Sequence, residues 1–170
     1  PAYHVVAIRS TLLPGVLQSK LVPLLERTSG RTAGVDVGVC VNPEFLREGS
    51  AIRDFENPAF TLVGESDQRA GDMLLNAYAH LDAPVRRVRP DEASMVKYAS
   101  NAFHAVKVAF ANEIGTVCQQ LGVDGRQVMQ VFCEDRELNI SRQYLRPGFG
   151  FGGSCLPKDL RATLYSAKAR

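Results

Sequence analysis

One helical pattern runs from Asp91 to Leu121 before Gly122 ends it, and it limits what the rest of the chain can build. Its apolar residues include Met95, Val96, Ala99, Ala102, Phe103, Val106, Phe110, Ile114, Val117 and Leu121. They cover more than the narrow stripe of a surface helix, which predicts burial on several sides. About thirty residues at roughly 1.5 Å each make a rod about 45 Å long. That is long for a small domain, and a subunit interface is a reasonable way to cover it.

Ahead of this helix the pattern is different. Val5-Val6-Ala7-Ile8 has the character of a strand, and Pro14-Gly15 opens a helical stretch marked by Val16, Leu17, Leu21, Leu24 and Leu25. Pro23 sits inside that stretch and is expected to kink or shorten it. Val35 to Val41 alternates as a strand does, and Asn42-Pro43 breaks it. Phe60 to Val63 is a further strand closed by Gly64, Asp67 to Leu81 has helical spacing, and Val85 to Val88 forms a last strand. Strands alternating with helices predict a parallel α/β sheet. After the long helix, Asp124 starts another through Cys133, Asn139 to Ser154 reads as a loop, and Pro157 to Ala169 is helical again. The expected architecture is α/β: the C-terminal part of a Rossmann-like parallel-sheet domain over 1–90, then a helical central domain over 91–170. No G-x-G-x-x-G follows a first strand, so the usual pyrophosphate cradle of a dinucleotide site is not in these residues.

Composition removes several classes of function. With 45% apolar and 22% charged residues in 170, the chain has ample surface to bury and is no candidate for disorder. A net charge of +2 offers no electrostatic case for nucleic acid or an anionic membrane. No apolar run is long enough to span a bilayer. The opening residues, Pro1 to Val6, lack the charged and apolar regions of a signal peptide and begin almost directly on a strand without an initiator Met. They read as a segment of something longer.

The four cysteines form no C-x-x-C pair, so neither zinc nor any other metal is indicated. Cys118 and Cys133 lie in helical patterns and Cys40 ends a strand, which makes all three candidates for inert core thiols. Cys155 differs. It follows Phe149-Gly150-Phe151-Gly152-Gly153-Ser154 and precedes Leu156-Pro157-Lys158-Asp159. Glycines allow close approach of backbone to a ligand, and Pro157 suits a first helical turn. Cys155 at a helix N-terminus would have its thiolate favoured by the dipole and by Lys158, with Asp159 on the same face as an acid/base partner. The alternative is a glycine-rich turn carrying a buried Cys.

Three further groupings stand out. Lys97, Asn101 and His104 share one face of the long helix, either as an oxyanion-binding set or as a solvated stripe. Glu44 and Glu48 come directly after a strand, where open α/β sheets bind ligands, or else simply begin a helix. Ser10-Thr11 occupies a similar strand end, with an N-cap as its alternative role.

These stretches resemble, in order, the signatures of the UDP-glucose/GDP-mannose dehydrogenase family: Ser10-Thr11 with Pro14-Gly15, Asn42-Pro43-Glu44-Phe45-Leu46-Arg47-Glu48-Gly49, Lys97 to Asn101, and Phe149 to Asp159. Asn101 to Val108 and Tyr144 to Gly148 are more similar to the GDP-mannose branch; UDP-glucose is the alternative substrate.

The resemblance implies an NAD-dependent, four-electron oxidation of a nucleotide sugar at C6. Cys155 would be the nucleophile, passing through a thiohemiacetal and a thioester. Lys97 and Asn101 would hold the C6 oxygen, and Asp159 would orient or activate water. Glu44 would assist hydrolysis, and Thr11 would position water or cofactor. Thr11, Glu48 and Lys158 would lie towards the NAD. Glu44, Phe45, Leu46, Arg47, His104, Tyr144, Leu145, Arg146, Phe149, Phe151 and Gly152 would contact the sugar nucleotide. A homodimer through the long helix, a cytoplasmic location, a place in polysaccharide biosynthesis, and weak NAD binding with no activity by these residues alone are also implied. From other classes come a non-catalytic dimerisation module and a cysteine hydrolase. The hydrolase needs a base beside the thiolate, and none of His4, His80 and His104 is near Cys155 in sequence.

Overall fold

The structure, a computed structural model, describes residues 2–141, 143 and 155–168. It divides into two units, Pro1–Phe103 and His104–Arg170. The division falls inside the long helix, whose first turns pack on the sheet.

The first unit is a four-stranded sheet in the order β1 (His4–Ile8), β2 (Val37–Val41), β3 (Thr61–Glu65), β4 (Val85–Val88). β1 pairs with β2 in parallel, and β3 with β4 in parallel. The middle pair is antiparallel, matching Cys40 with Glu65 and Val41 with Gly64. The expected parallel sheet is therefore mostly parallel, with one antiparallel pair at its centre. Between β2 and β3 the chain makes a loop and one short helix, α2 (Ala51–Glu56), and returns on the same edge without crossing the sheet. β3 also continues through Gly64 to Glu65 instead of closing at it, and β2 starts two residues later than its alternation, since Val35 is exposed in a turn.

β2 is buried along its whole length, so its side chains feed two cores. Val39 and Val41 join Leu17, Leu62 and Ala93 on one side. Cys40 joins Val63 and Ala70 on the other. Helices reach the sheet closely because glycines face them. A Cβ on Gly38 would lie 2.3 Å from the Ala70 Cβ, and one on Gly64 would lie 2.6 Å from the Ala93 Cβ and 2.8 Å from the Pro90 Cα.

Pro23 shapes the first helical segment as its chemistry requires. It has no N–H to donate back one turn. A π-helical turn, Leu17–Leu21, precedes α1 (Val22–Ser29), and the Val22 N–H reaches the Leu17 carbonyl five residues back. α3 (Gln68–Asn76) is capped by Asp67, which accepts from the Ala70 N–H at 2.8 Å. It stops five residues short of the expected Leu81, in a run of turns over 77–80.

α4 (Pro90–Leu121) crosses from the first unit into the second. Its end is a left-handed Gly122 at φ 70°, with the Val123 N–H donating to the Cys118 carbonyl at 2.9 Å. The expectation of burial on several sides is not met within one chain. Ala93, Ser94, Lys97 and Cys118 are buried, but Met95, Val96, Phe103, Val106, Val108, Phe110 and Leu121 are exposed. In the second unit α5 (Gly125–Phe132) is capped by Asp124, and α6 spans Cys155–Lys168. No helix among the described residues is long and apolar enough to cross a membrane.

Gly64 tests the close approach of β3 to α4. Gly64→Ala is expected to lower unfolding free energy by about 1–3 kcal/mol, read from urea midpoints at unchanged slope.

Candidate functional site

The described site lies at the carboxyl ends of β1 and β2. Chain direction in the parallel pair brings both C-termini to one edge, with Ile8 opposite Val41. The segments leaving the two strands are therefore side by side: Arg9, Ser10 and Thr11 after β1, and Asn42, Pro43 and Glu44 after β2.

Lys97 reaches this edge from the second turn of α4. Its side chain is 11% exposed, and its ammonium donates to the Glu44 carbonyl at 2.5 Å and to Glu44 Oε1 at 3.1 Å. The Phe45 ring centroid lies 5.4 Å from Lys97 Nζ, a cation–π contact. Phe45 in turn packs edge-on against Phe60. A buried ammonium needs such partners, because burying its charge without them is costly. The Leu46 N–H donates to Glu44 Oε2 at 2.7 Å. That backbone donor first, and Lys97 after it, hold the Glu44 carboxyl below its ordinary range against the opposing effect of burial.

The Asn42-to-Gly49 stretch is a loop leading into a turn, so Glu44 and Glu48 do not share a helical face and do not begin a helix. The helix starts at Ala51. Neither Ser10 nor Thr11 caps the first helical segment, whose N-cap position is Val16. Thr11 is exposed in a loop, and Glu48 and Leu46 are exposed. Arg47 is already engaged: Asp54 of α2 takes its Nε at 2.9 Å and its Nη2 at 2.7 Å, and the guanidinium holds the Asp54 carboxyl well below the usual carboxylate range.

Asn101 and His104 are exposed on α4, whereas Lys97 is buried; their common spacing does not give them a common environment. Tyr144, Leu145, Arg146, Phe149, Phe151 and Gly152 lie outside the described residues, as do the side chains of Cys155 and Asp159. The backbone of Cys155 is the first residue of α6, with Pro157 in its first turn and Lys158 exposed. Cys40 and Cys118 are buried, but Cys133 is exposed, which corrects its reading as a core thiol; it comes directly after α5, none of whose residues is buried. Burial first, with Asp67 and Glu65 behind it, pushes the Cys40 thiol up to about 11.

Asn42, Tyr78 and Asp91 escape sequence reasoning. Asn42 is buried and accepts from both Arg9 and the Tyr78 hydroxyl, while its amide NH₂ donates to the Leu62 carbonyl at 2.9 Å. Asp91, at the start of α4, accepts from the Gly15 N–H at 2.8 Å and so ties the Pro14-Gly15 turn to the helix that carries Lys97. The position of Arg9 beside Ser10 at a strand end is the only local signal for any of them.

A nicotinamide nucleotide offers an amide, ribose hydroxyls and a pyrophosphate. The exposed hydroxyls of Ser10 and Thr11 and the carboxylate of Glu48 fit the first two, at the edge where open α/β sheets bind such groups.

A mostly parallel sheet with polar groups at its carboxyl edge, closed by a buried lysine from a long helix after β4, defines a Rossmann-like α/β domain joined to a helical one. Residues 1–82 match the UDP-glucose/GDP-mannose dehydrogenase family, NAD binding domain, and residues 91–170 match that family's central domain. The chain belongs to the UDP-glucose/GDP-mannose dehydrogenase family. GDP-mannose 6-dehydrogenase of Pseudomonas aeruginosa is 55% identical over 164 residues, 96% of this chain and 38% of the relative. UDP-glucose 6-dehydrogenase of Haloferax volcanii is 37% identical over 172 residues, 98% of this chain and 40% of the relative. The crystal structure of a ternary complex of GDP-mannose dehydrogenase from Pseudomonas aeruginosa superposes with a TM-score of 0.96 at 54% identity, covering 98% of this chain and 38% of that one. The chain thus spans about 38% of the length of the GDP-mannose 6-dehydrogenase it matches.

The lowered titration of Glu44 has a sign that can be measured. A carboxyl held low when folded contributes stability at pH values above its unfolded value of about 4.3. That contribution is lost as pH falls through the lower folded value. Glu44→Gln is therefore expected to flatten the fall in thermal midpoint between about pH 5 and pH 3, with little change in the pH dependence above that window.

Proposed function

We propose that these residues carry the catalytic chemistry of an NAD-dependent nucleotide-sugar 6-dehydrogenase acting on GDP-mannose, with residues 1–90 belonging to the cofactor domain and 91–170 to the central domain. The observation that carries the reading is the buried Lys97 ammonium bound to Glu44 at the strand ends, in a chain 55% identical to a GDP-mannose 6-dehydrogenase.

Bound NAD⁺ supplies the acceptor for a hydride in each of two oxidations. Thr11 and Glu48, with Lys158, are the residues assigned to hold it. The sugar C6 alcohol loses a hydride and a proton to become an aldehyde. The Cys155 thiolate adds to that carbonyl, and the resulting thiohemiacetal loses a second hydride and its hydroxyl proton to leave a thioester. Water attacks the thioester, the carbon–sulfur bond breaks, and the uronate departs as the thiol is restored.

Lys97 has three N–H donors and Glu44 occupies two of them, which leaves one for the C6 oxygen while negative charge grows on it. Asn101 adds a second donor from the next turn of α4, and His104 extends the same row towards the sugar nucleotide. Phe45, Leu46 and Arg47 line the substrate side of the strand-end loop. Tyr144, Leu145, Arg146, Phe149, Phe151 and Gly152 are the further residues that the family resemblance assigns to the sugar nucleotide. Glu44, ionised at neutral pH, accepts a hydrogen bond from the attacking water, and Asp159 orients or activates that water. The exposed apolar residues of α4, among them Val106, Val108 and Phe110, support a homodimer formed along this helix. A cytoplasmic enzyme feeding polysaccharide assembly is the setting this reading implies.

Grafting these 170 residues into the Pseudomonas aeruginosa enzyme in place of its matching segment gives a direct test. The chimera should reduce NAD⁺ with GDP-mannose and not with UDP-glucose. Cys155→Ser should remove uronate formation, and Lys97→Met should lower kcat about 10²- to 10³-fold. Turnover of UDP-glucose alone would move the assignment to that branch. In the 170-residue chain, iodoacetamide at neutral pH should label Cys155 ahead of Cys40, Cys118 and Cys133; equal inertness would favour a non-catalytic module. Sedimentation of the chain as a monomer at micromolar concentration would overturn the dimer, and micromolar NAD⁺ affinity by calorimetry would overturn the expectation that these residues bind it only weakly.

A further inference from the structure

The Glu44–Lys97 pair sits on a loop whose first residue, Asn42, is held by a polar network that the chemistry above does not use. Asn42 Oδ1 accepts from the Tyr78 hydroxyl at 2.5 Å and from Arg9 Nη1 at 3.1 Å, and Arg9 Nη1 also donates to the Tyr78 oxygen. The Asn42 amide NH₂ donates to the Leu62 carbonyl, and its backbone N–H donates to the Ile8 carbonyl at 2.9 Å. With two donors facing its oxygen and a carbonyl facing its nitrogen, the Asn42 side chain has one orientation only.

Tyr78 belongs to the turns after α3, far from β2 in sequence. Its ring centroid lies 6.3 Å from that of Phe55 in α2. One side chain therefore joins α2, the end of β1 through Arg9, and the end of β2 through Asn42. Two residues beyond Asn42, the Glu44 carbonyl meets Lys97. Pro43 between them is buried and has a fixed φ, so little slack separates the anchored amide from that carbonyl.

We propose that Tyr78 and Arg9 are positioning residues for the Glu44–Lys97 pair. Clamping Asn42 fixes the loop so that the Glu44 main-chain carbonyl and carboxylate both lie against the ammonium. The physical basis is a buried amide whose every polar group is satisfied, and such an arrangement holds one loop conformation where a half-satisfied one holds several. This deepens the dehydrogenase reading, and its catalytic meaning rests on that reading, but the geometry can be tested without turnover.

The test is made on the folded 170-residue chain by amide hydrogen exchange and by following the Glu44 carboxyl carbon through a pH titration. Tyr78→Phe keeps the ring against Phe55 and removes only the hydroxyl. It should raise the exchange rate of the Leu46 amide about tenfold and move the Glu44 midpoint upward, towards ordinary glutamate. Arg9→Gln should shift both readouts in the same direction. Phe55→Leu, which loosens the same packing but keeps the hydroxyl, should lower the thermal midpoint and leave the Leu46 amide and the Glu44 midpoint unchanged. If Tyr78→Phe and Arg9→Gln change only the thermal midpoint, or if Phe55→Leu disturbs Glu44 as much as they do, the positioning role is overturned. A chimera that fails to reduce NAD⁺ while these exchange results hold would sink the dehydrogenase reading and leave the clamp standing.

Discussion

A nearly buried ammonium governs the architecture of the sheet edge. Burying such a group without partners costs several kcal/mol after relaxation. The main-chain carbonyl of Glu44, its carboxylate and the face of Phe45 supply them. All three come from consecutive positions on the loop that leaves β2, so satisfying one charge fixes the loop against α4. The same contacts order the carboxylate, because the Leu46 amide completes its hydrogen bonding from the other side. Charge, loop conformation and helix placement are in this way one constraint.

That constraint depends on how close α4 comes to the sheet. Gly64 in β3 leaves room for Pro90 and Ala93, and Ala93 is fully buried against Leu17, Val39, Val41 and Leu62. A larger residue at either contact would lift the first turns of the helix and draw Lys97 away from the strand ends. Packing on one side of the sheet and chemistry at its edge therefore meet in the same short stretch of helix. Asp91 adds a second tie by accepting from the Gly15 amide, which places the turn after β1 against the same helix start.

The exposed apolar surface of α4 is the counterpart of its buried start. The residues that pack on the sheet are few and small, Ala93 and Ser94 among them, while Phe103, Val106, Val108 and Phe110 remain open to solvent in one chain. The helix meets the sheet edge at its start and exposes apolar side chains further along. Under the dehydrogenase reading, a second copy of the chain would stiffen the rod that carries Lys97, Asn101 and His104.

The strands, the long helix and its glycine stop were legible from residue pattern, because alternation, 3.6-residue spacing and Gly122 are local properties of the chain. So were the polar stretches at the strand ends, and the order of those stretches identified the family. Other features depended on residues distant in sequence. The antiparallel turn of β3 comes from a loop returning along one edge, and local spacing carries no sign of direction. Lys97 and Asn101 look equivalent on a helical wheel, yet only Lys97 is buried, because the sheet covers α4 no further than its first turns. Arg47 is paired with Asp54 of α2, a contact that its own stretch of sequence does not announce; Asn42 has the character of a strand breaker, but Arg9, Tyr78 and Leu62 meet around its amide. Sequence determined which chemical groups the chain owns and which stretches become strand or helix. Only the tertiary structure decided which charges are buried and which partners meet them, because burial and hydrogen bonding at this edge join residues 53 and 69 positions apart.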